Sequence, residues 1–226
     1  MKTTYDEAVK LFKMKRWDSA LATFQEAETS TFNAEQKAEL AYYFGLCYTK
    51  LERFNDALVY LEQFVSDDKR SLRSCQCRLT LAYIYMNTKR PKMAEFELEH
   101  LLKSGFKSAQ IYTMLGFAAW TQNQEKEAIE RYEKALELDL NNSTALNSLG
   151  YILVETGKDI PRGLELCKRA VEKHPGSAVY MDSLGWAYYK SGELVEARTW
   201  LRRALSIAPR QREISGHMKA LVDKAS

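Results

Sequence analysis

The sequence predicts an all-α fold, an αα-superhelix of about six helical hairpins closed by a capping helix at the C-terminal end. Three observations carry that expectation. Small residues twelve positions apart recur along the chain, as Ala8/Ala20, Gly45/Ala57, Ala82/Ala94, Gly116/Ala128 and Gly185/Ala197. Gly150/Gly163 is a thirteen-residue version, and the first members follow one another at 37, 37, 34, 34 and 35 residues. Four prolines and ten glycines in 226 residues leave few helix breakers. A hairpin repeated at this period buries its apolar faces against its neighbours rather than around one central core.

The clearest copy is Ser177–Pro209, SAVYMDSLGWAYYKSGELVEARTWLRRALSIAP. It reads as two amphipathic helices joined by a turn at Ser191-Gly192. Gly185 and Ala197 mark the place where the helices approach too closely for larger side chains. Leu184, Tyr188, Leu201 and Ala204 keep fixed offsets around that pair. Upstream, Asn33-x-x-Gln36 has the spacing of a capping box ahead of the second repeat, and Pro91 suits a first helical turn, where no donor is lost. Asn141-Asn142 and Pro175-Gly176-Ser177 are turn-and-cap clusters before the fifth and sixth repeats.

The two 37-residue spacings imply extra residues around Ser30–Asn33 and Ser66–Arg70. In the fifth repeat the turn Gly157–Arg162 carries one extra residue. Gly163 then falls inside a helix at about 1 kcal/mol relative to alanine, which close packing would explain. After Pro209, Ile214, Met218, Leu221 and Val222 share one face of a helix over Arg212–Lys224, the pattern of an end cap.

The residues quoted above resemble the tetratricopeptide repeat family. Leu-Gly followed by an apolar residue three on recurs as LGFAA (115–119), LGYIL (149–153) and LGWAY (184–188). The Ala-x3-aromatic/Leu-x2-Ala pattern recurs as ALATFQEA (20–27), AIERYEKA (128–135) and ARTWLRRA (197–204). The resemblance implies a right-handed superhelix built as one solenoid over 1–226. Its repeats are near 1–33, 34–70, 71–107, 108–141, 142–176 and 177–210, with the cap near 211–225. The style of the fifth and sixth repeats is similar to bacterial members, some of them envelope-associated.

Bulk composition excludes little and supports an ordinary folded chain. Hydrophobic residues make up 46% and charged ones 28%, so wholesale disorder is not expected. A net charge of +3 is too small to imply nucleic acid, and no run approaches the ~20 apolar residues of a membrane span. MKTTYDEAVKLF lacks the apolar core of a signal peptide. Cys47, Cys75, Cys77 and Cys167 lack disulfide-rich spacing, which favours a reducing, cytoplasmic setting. A periplasmic or envelope location is the alternative if a signal has been removed. Cys75-x-Cys77 reads as two small packing residues. His100, His174 and His217 do not pair at metal-ligand spacing, and His174 suits a helix C-terminus. No catalytic, metal or cofactor site is expected. The seven Lys/Arg between Lys69 and Lys92 read as a solvated face.

Function is therefore expected to be binding. In the family, residues one and four positions after the first small residue face a concave groove. Carried over, these are Val9, Phe12, Leu46, Thr49, Tyr83, Met86, Phe117, Trp120, Tyr151, Val154, Trp186 and Tyr189. Three positions before it lie Tyr42, Thr113, Asn147 and Asp182, expected as polar points on the same face. Tyr42, Tyr83, Met86, Phe117, Trp120, Asn147, Tyr151, Asp182, Trp186 and Tyr189 form the candidate partner-binding set. Aromatic anchors with sparse polar groups suit a partner's peptide or amphipathic helix. The other occupants are the chain's own tail and a second copy. The alternative function is a self-associating or accessory subunit of a larger complex. The Lys/Asn clamp used on acidic chaperone tails is absent: Tyr5, Val9, Tyr42 and Leu46 stand at its positions.

Overall fold

A computed structural model describes residues 4–27, 30, 32–67 and 72–225. All the regular elements in them are helices. In order these are α1 (Thr4–Lys13), α2 (Trp17–Gln25), α3 (Ala34–Lys50), α4 (Phe54–Asp67), α5 (Leu72–Asn87) and α6 (Pro91–Lys103). Then come α7 (Ala109–Thr121), α8 (Glu125–Leu138), α9 (Ser143–Glu155), α10 (Ile160–Lys173), α11 (Ala178–Ser191), α12 (Leu194–Ile207) and α13 (Arg212–Ala225). They pack as two compact units, Met1–Lys107 with three hairpins and Ser108–Ser226 with three hairpins and α13. Within each unit a hairpin's second helix packs on the first helix of the next, and successive first helices also touch. The fold is thus of the all-α tetratricopeptide-like solenoid class, built from stacked hairpins.

The small pairs sit where expected. Ala8, Ala20, Ala57, Ala82, Ala94, Ala128 and Ala197 are fully buried. A Cβ added at Gly45, Gly116 or Gly185 would meet the side chain of Leu61, Tyr132 or Leu201 at 2.5, 2.9 and 2.8 Å. Each of those side chains lies four residues after the second small residue, one helical turn further along the same face. The fifth repeat is tighter. A Cβ at Gly163 would lie 2.7 Å from the carbonyl oxygen of Gly150, and one at Gly150 would lie 2.8 Å from that of Gly163. Backbone meets backbone here, and that is the reason this helix keeps an interior glycine.

The turns inside the hairpins follow one rule. The residue seven positions after the first small residue adopts a left-handed conformation: Lys15, Glu52, Lys89 and Asn123 at φ 57–60°, Gly157 at 69° and Gly192 at 90°. In five of the six, that residue's N–H donates to the carbonyl three back, and the next N–H donates to the carbonyl five back, at 2.7–3.2 Å. These paired bonds close a helix end in the Schellman manner. In the fifth repeat Gly157 keeps the first bond, while the longer one, at 3.4 Å, comes from Asp159. The inserted residue has been absorbed there, and Asp159 then caps α10 by accepting from the Arg162 N–H at 3.0 Å.

The caps agree with the sequence. Asn33 and Gln36 form a reciprocal capping box at 2.9 Å in both directions. Asn142 and Ser177 cap α9 and α11, Pro91 opens α6, and His174 is the C-cap of α10. Of the two insertions, residues 31 and 68–71 lie outside the described set, and α4 continues to Asp67.

The solvated face expected over Lys69–Lys92 is interrupted. Arg78 is buried and forms a short ion pair with buried Glu97, and its second guanidinium nitrogen donates to the Val65 carbonyl at 3.4 Å. Arg73 pairs with Glu39 at 2.9 Å. Helices α5 and α6 bring Arg78 and Glu97 together from nineteen residues apart, so no local pattern reveals the pair.

Candidate functional site

In the second unit α7, α9 and α11 present their groove-side residues to a common cavity of about 170 Å³. Phe117 and Trp120 line it from α7, Asn147, Ser148 and Tyr151 from α9, and Val179, Asp182 and Ser183 from α11. Gln211 and Glu213, at the start of α13, also line it, and Tyr132 contributes from α8. Phe117 is 47% exposed and Val179 48%, so part of the wall is open apolar surface. Five of the ten predicted residues, Phe117, Trp120, Asn147, Tyr151 and Asp182, come together here.

The polar residues form the floor rather than the rim. Asn147 is only 7% exposed, and its side-chain carbonyl oxygen is buried with no hydrogen-bond partner among the described residues. A buried acceptor left unpaired costs about 1–3 kcal/mol, so a donor arriving from outside would recover that penalty. Asp182, 5% exposed, has both carboxylate oxygens 3.0 Å from Nδ1 of His217 on α13. A carboxylate only accepts, so Nδ1 carries the proton of this contact. Thr113, from the same set, turns inward and donates to the Ala109 carbonyl at 2.8 Å.

The electrostatics of the cavity are acidic. The Tyr151 hydroxyl pKa is pushed up to about 12, chiefly by burial and further by the carboxylates of Glu155, Glu213 and Asp182. No lysine or arginine lines the cavity. Glu213 is exposed at its edge and has no ion pair or hydrogen bond among the described residues, whereas Glu155 accepts from the Trp186 indole N–H at 2.7 Å and pairs with Lys190 at 3.3 Å.

Trp186 and Tyr189, also predicted for the groove, face the chain's own C-terminal helix instead. The Trp186 ring is stacked between Tyr189 at 4.8 Å and His217 at 4.2 Å. The Lys224 ammonium lies 4.8 Å over Tyr189. Of the predicted end-cap face, Ile214 packs with Met181 and Ala204, and Leu221 with Ala197 and Leu201, while Val222 is exposed. The cap therefore does more than seal the last hairpin, since it fills the last register of the groove side.

The predicted residues of the first unit do not form a comparable site. Tyr42 is buried, edge-on to Tyr43 and tilted against Phe64, and its hydroxyl donates to Gln76 at 2.7 Å. Its role is packing between neighbouring hairpins, and only Tyr83, 48% exposed beside Phe54, and the half-buried Met86 present surface. Sequence reading missed Gln211, Glu213 and His217, because their part in the site depends on how the cap folds back. All four cysteines are free thiols. Cys47 and Cys167 are buried, and burial raises both thiols to about 12. The described residues contain no group of three or more His, Cys, Asp or Glu placed to hold a metal ion, and no helix among them is long and apolar enough to cross a membrane.

The comparisons with known proteins agree with this architecture. The tetratricopeptide repeat family matches residues 109–142 and 178–211, the fourth and sixth hairpins. Two of its six hairpins are thus matched as tetratricopeptide repeats, a broad repeat superfamily. Among curated proteins it is similar to the mitochondrial import receptor subunit TOM70 of Homo sapiens, 23% identical over 194 residues. That match covers 84% of this chain and 32% of TOM70. The chain spans a quarter to a third of the TOM70 sequences it matches, 25% in mouse and rat. Among solved structures it resembles the tetratricopeptide protein YrrB, described as having an unusual peptide-binding site, at 20% identity and TM-score 0.60. That likeness covers 82% of this chain and 94% of YrrB. It also resembles a chain of the APC/C hetero-tetramer Cut9–Hcn1, at 15% identity and TM-score 0.77, over 96% of this chain and 42% of the other. Matching sequences come from Pseudomonas aeruginosa as well as mammals, so the matches do not single out a bacterial type.

Proposed function

We propose that this chain is a non-catalytic interaction module that holds a peptide or helix of another protein against α7, α9 and α11, as an accessory subunit of a larger assembly. The cavity carries this reading. It combines open aromatic surface on Phe117 with a buried, unpaired acceptor on Asn147, a pairing that a folded chain retains at a penalty. Apolar anchors held on rigid helices, with a few polar groups to set register, are the physics of peptide recognition in a helical groove. The accessory-subunit part draws on the comparisons. TOM70 is named as a subunit of an import receptor and Cut9–Hcn1 as a hetero-tetramer. Association with a cell envelope has no support from the structure.

The test is affinity capture from source lysate with wild type and with Phe117→Ala/Tyr151→Ala. Trp186 is left untouched because it packs under α13. A protein captured by wild type and lost by a variant with unchanged helical circular dichroism supports the groove reading. Equal capture by both overturns it and moves the interface to outer faces such as Met93 and Phe96, which are exposed on α6. Sedimentation over a hundredfold concentration range separates a self-associating chain from a monomeric subunit.

A further inference from the structure

The same cavity carries a statement about what enters it, which rests on the groove reading. Its apolar walls are Phe117, Trp120 and Tyr151, and its charged lining residues are Asp182 and Glu213 only. Three features point one way. The Asn147 carbonyl at the floor lacks a donor. Glu213 at the rim has no counter-ion among the described residues, and Arg212 beside it is exposed and does not line the cavity. Asp182 contacts His217 Nδ1 at 3.0 Å, and with Glu155 and Glu213 it adds to the rise in the Tyr151 hydroxyl pKa that burial dominates. Aromatic rings attract a cation over their faces, and carboxylates with a free carbonyl accept the hydrogen bonds of its head.

We propose that the cavity receives the side chain of a lysine or arginine from the partner protein, its methylenes against Phe117, Trp120 and Tyr151 and its charged head between Glu213, Asp182 and the Asn147 carbonyl. An acidic or aliphatic side chain would leave that carbonyl unpaired. A long basic side chain matches both the apolar wall and the acidic floor.

The first probes are Nα-acetyl-arginine methylamide and Nα-acetyl-lysine methylamide, titrated to about 100 mM at fixed ionic strength. The readout is the Trp120 indole N–H signal in proton–nitrogen correlation spectra, assigned with Trp120→Phe. Acetyl-norleucine and acetyl-citrulline methylamides are the neutral controls. A saturable shift with a cationic amide, at least fivefold weaker with both controls and at least threefold weaker in Glu213→Gln, is the expected result. Asn147→Leu is expected to weaken binding by a similar factor while keeping the helical spectrum. If Asn147→Leu fails to fold, Glu213→Gln on the cavity rim decides the matter. Equal binding of norleucine overturns the charge assignment and leaves the groove reading standing. No saturable shift with either cation overturns the proposal, while the groove reading is judged separately by the capture experiment.

Discussion

At Arg78 and Glu97 two charges sit where a repeat protein normally stacks apolar side chains. Their side chains are 9% and 8% exposed. Removing one partner from such a pair leaves the other charge buried without compensation, a loss of about 3–5 kcal/mol. Glu97→Ala is therefore expected to lower the unfolding free energy by about that much in urea titrations. The double variant Arg78→Met/Glu97→Leu is expected to recover most of it, since apolar residues of similar volume remove the desolvation penalty along with the attraction. A double variant as unstable as Glu97→Ala would mean that the bond from Arg78 to the Val65 carbonyl matters more than the pair. Nothing local in the sequence marks this contact, because Arg78 lies in a run of basic residues that reads as solvated. Asn147 and Asp182 were legible as groove-side positions from register alone. Their depth was not, because burial depends on which neighbour covers them, and for Asp182 that neighbour is His217 on α13.

Turn geometry between paired helices is where the elements depart from their best sequence. The left-handed position is glycine in the fifth and sixth hairpins but Lys15, Glu52, Lys89 and Asn123 in the first four. A residue with a Cβ is strained there by about 1 kcal/mol, partly offset because glycine is freer when unfolded. Glu52→Gly and Lys89→Gly are expected to raise stability by about 0.5–1 kcal/mol each, whereas Gly192→Ala is expected to lower it by a similar amount. Thermal melts of the three variants check both signs. Helix existence, caps and hairpin pairing were readable in advance because each has a local cause: Asn33 and Gln36 satisfy two amides between them, and the small pairs fix where helices cross. The thirteen-residue spacing of Gly150 and Gly163 was also visible. The closed backbone contact behind it, 2.7 Å from an added Cβ to a carbonyl oxygen, needed coordinates.

Across the whole molecule, stability and site are joined at the C-terminal helix. In a repeat array each hairpin is supported by its neighbours, so a defect at one end weakens the nearest hairpins first. Ile214 and Leu221 are 1% and 0% exposed and cover Met181, Ala204, Ala197 and Leu201. Truncating either to alanine removes buried methyl groups at about 2–4 kcal/mol. Hydrogen exchange in Ile214→Ala/Leu221→Ala is expected to accelerate in α13, α12 and α11, less in α9, and not at all in α1–α4. The same variant is expected to free the Trp186 ring from His217 and shift indole emission to the red, because the helix that loosens also carries His217 and Glu213. Uniform acceleration along the chain would instead show that the hairpins unfold as one cooperative body, and α13 would then be a global clamp rather than a local cap. Local loss would separate two jobs of the last helix: sealing the final hairpin through Ile214 and Leu221, and completing the acidic end of the cavity through Glu213 and the Asp182–His217 contact.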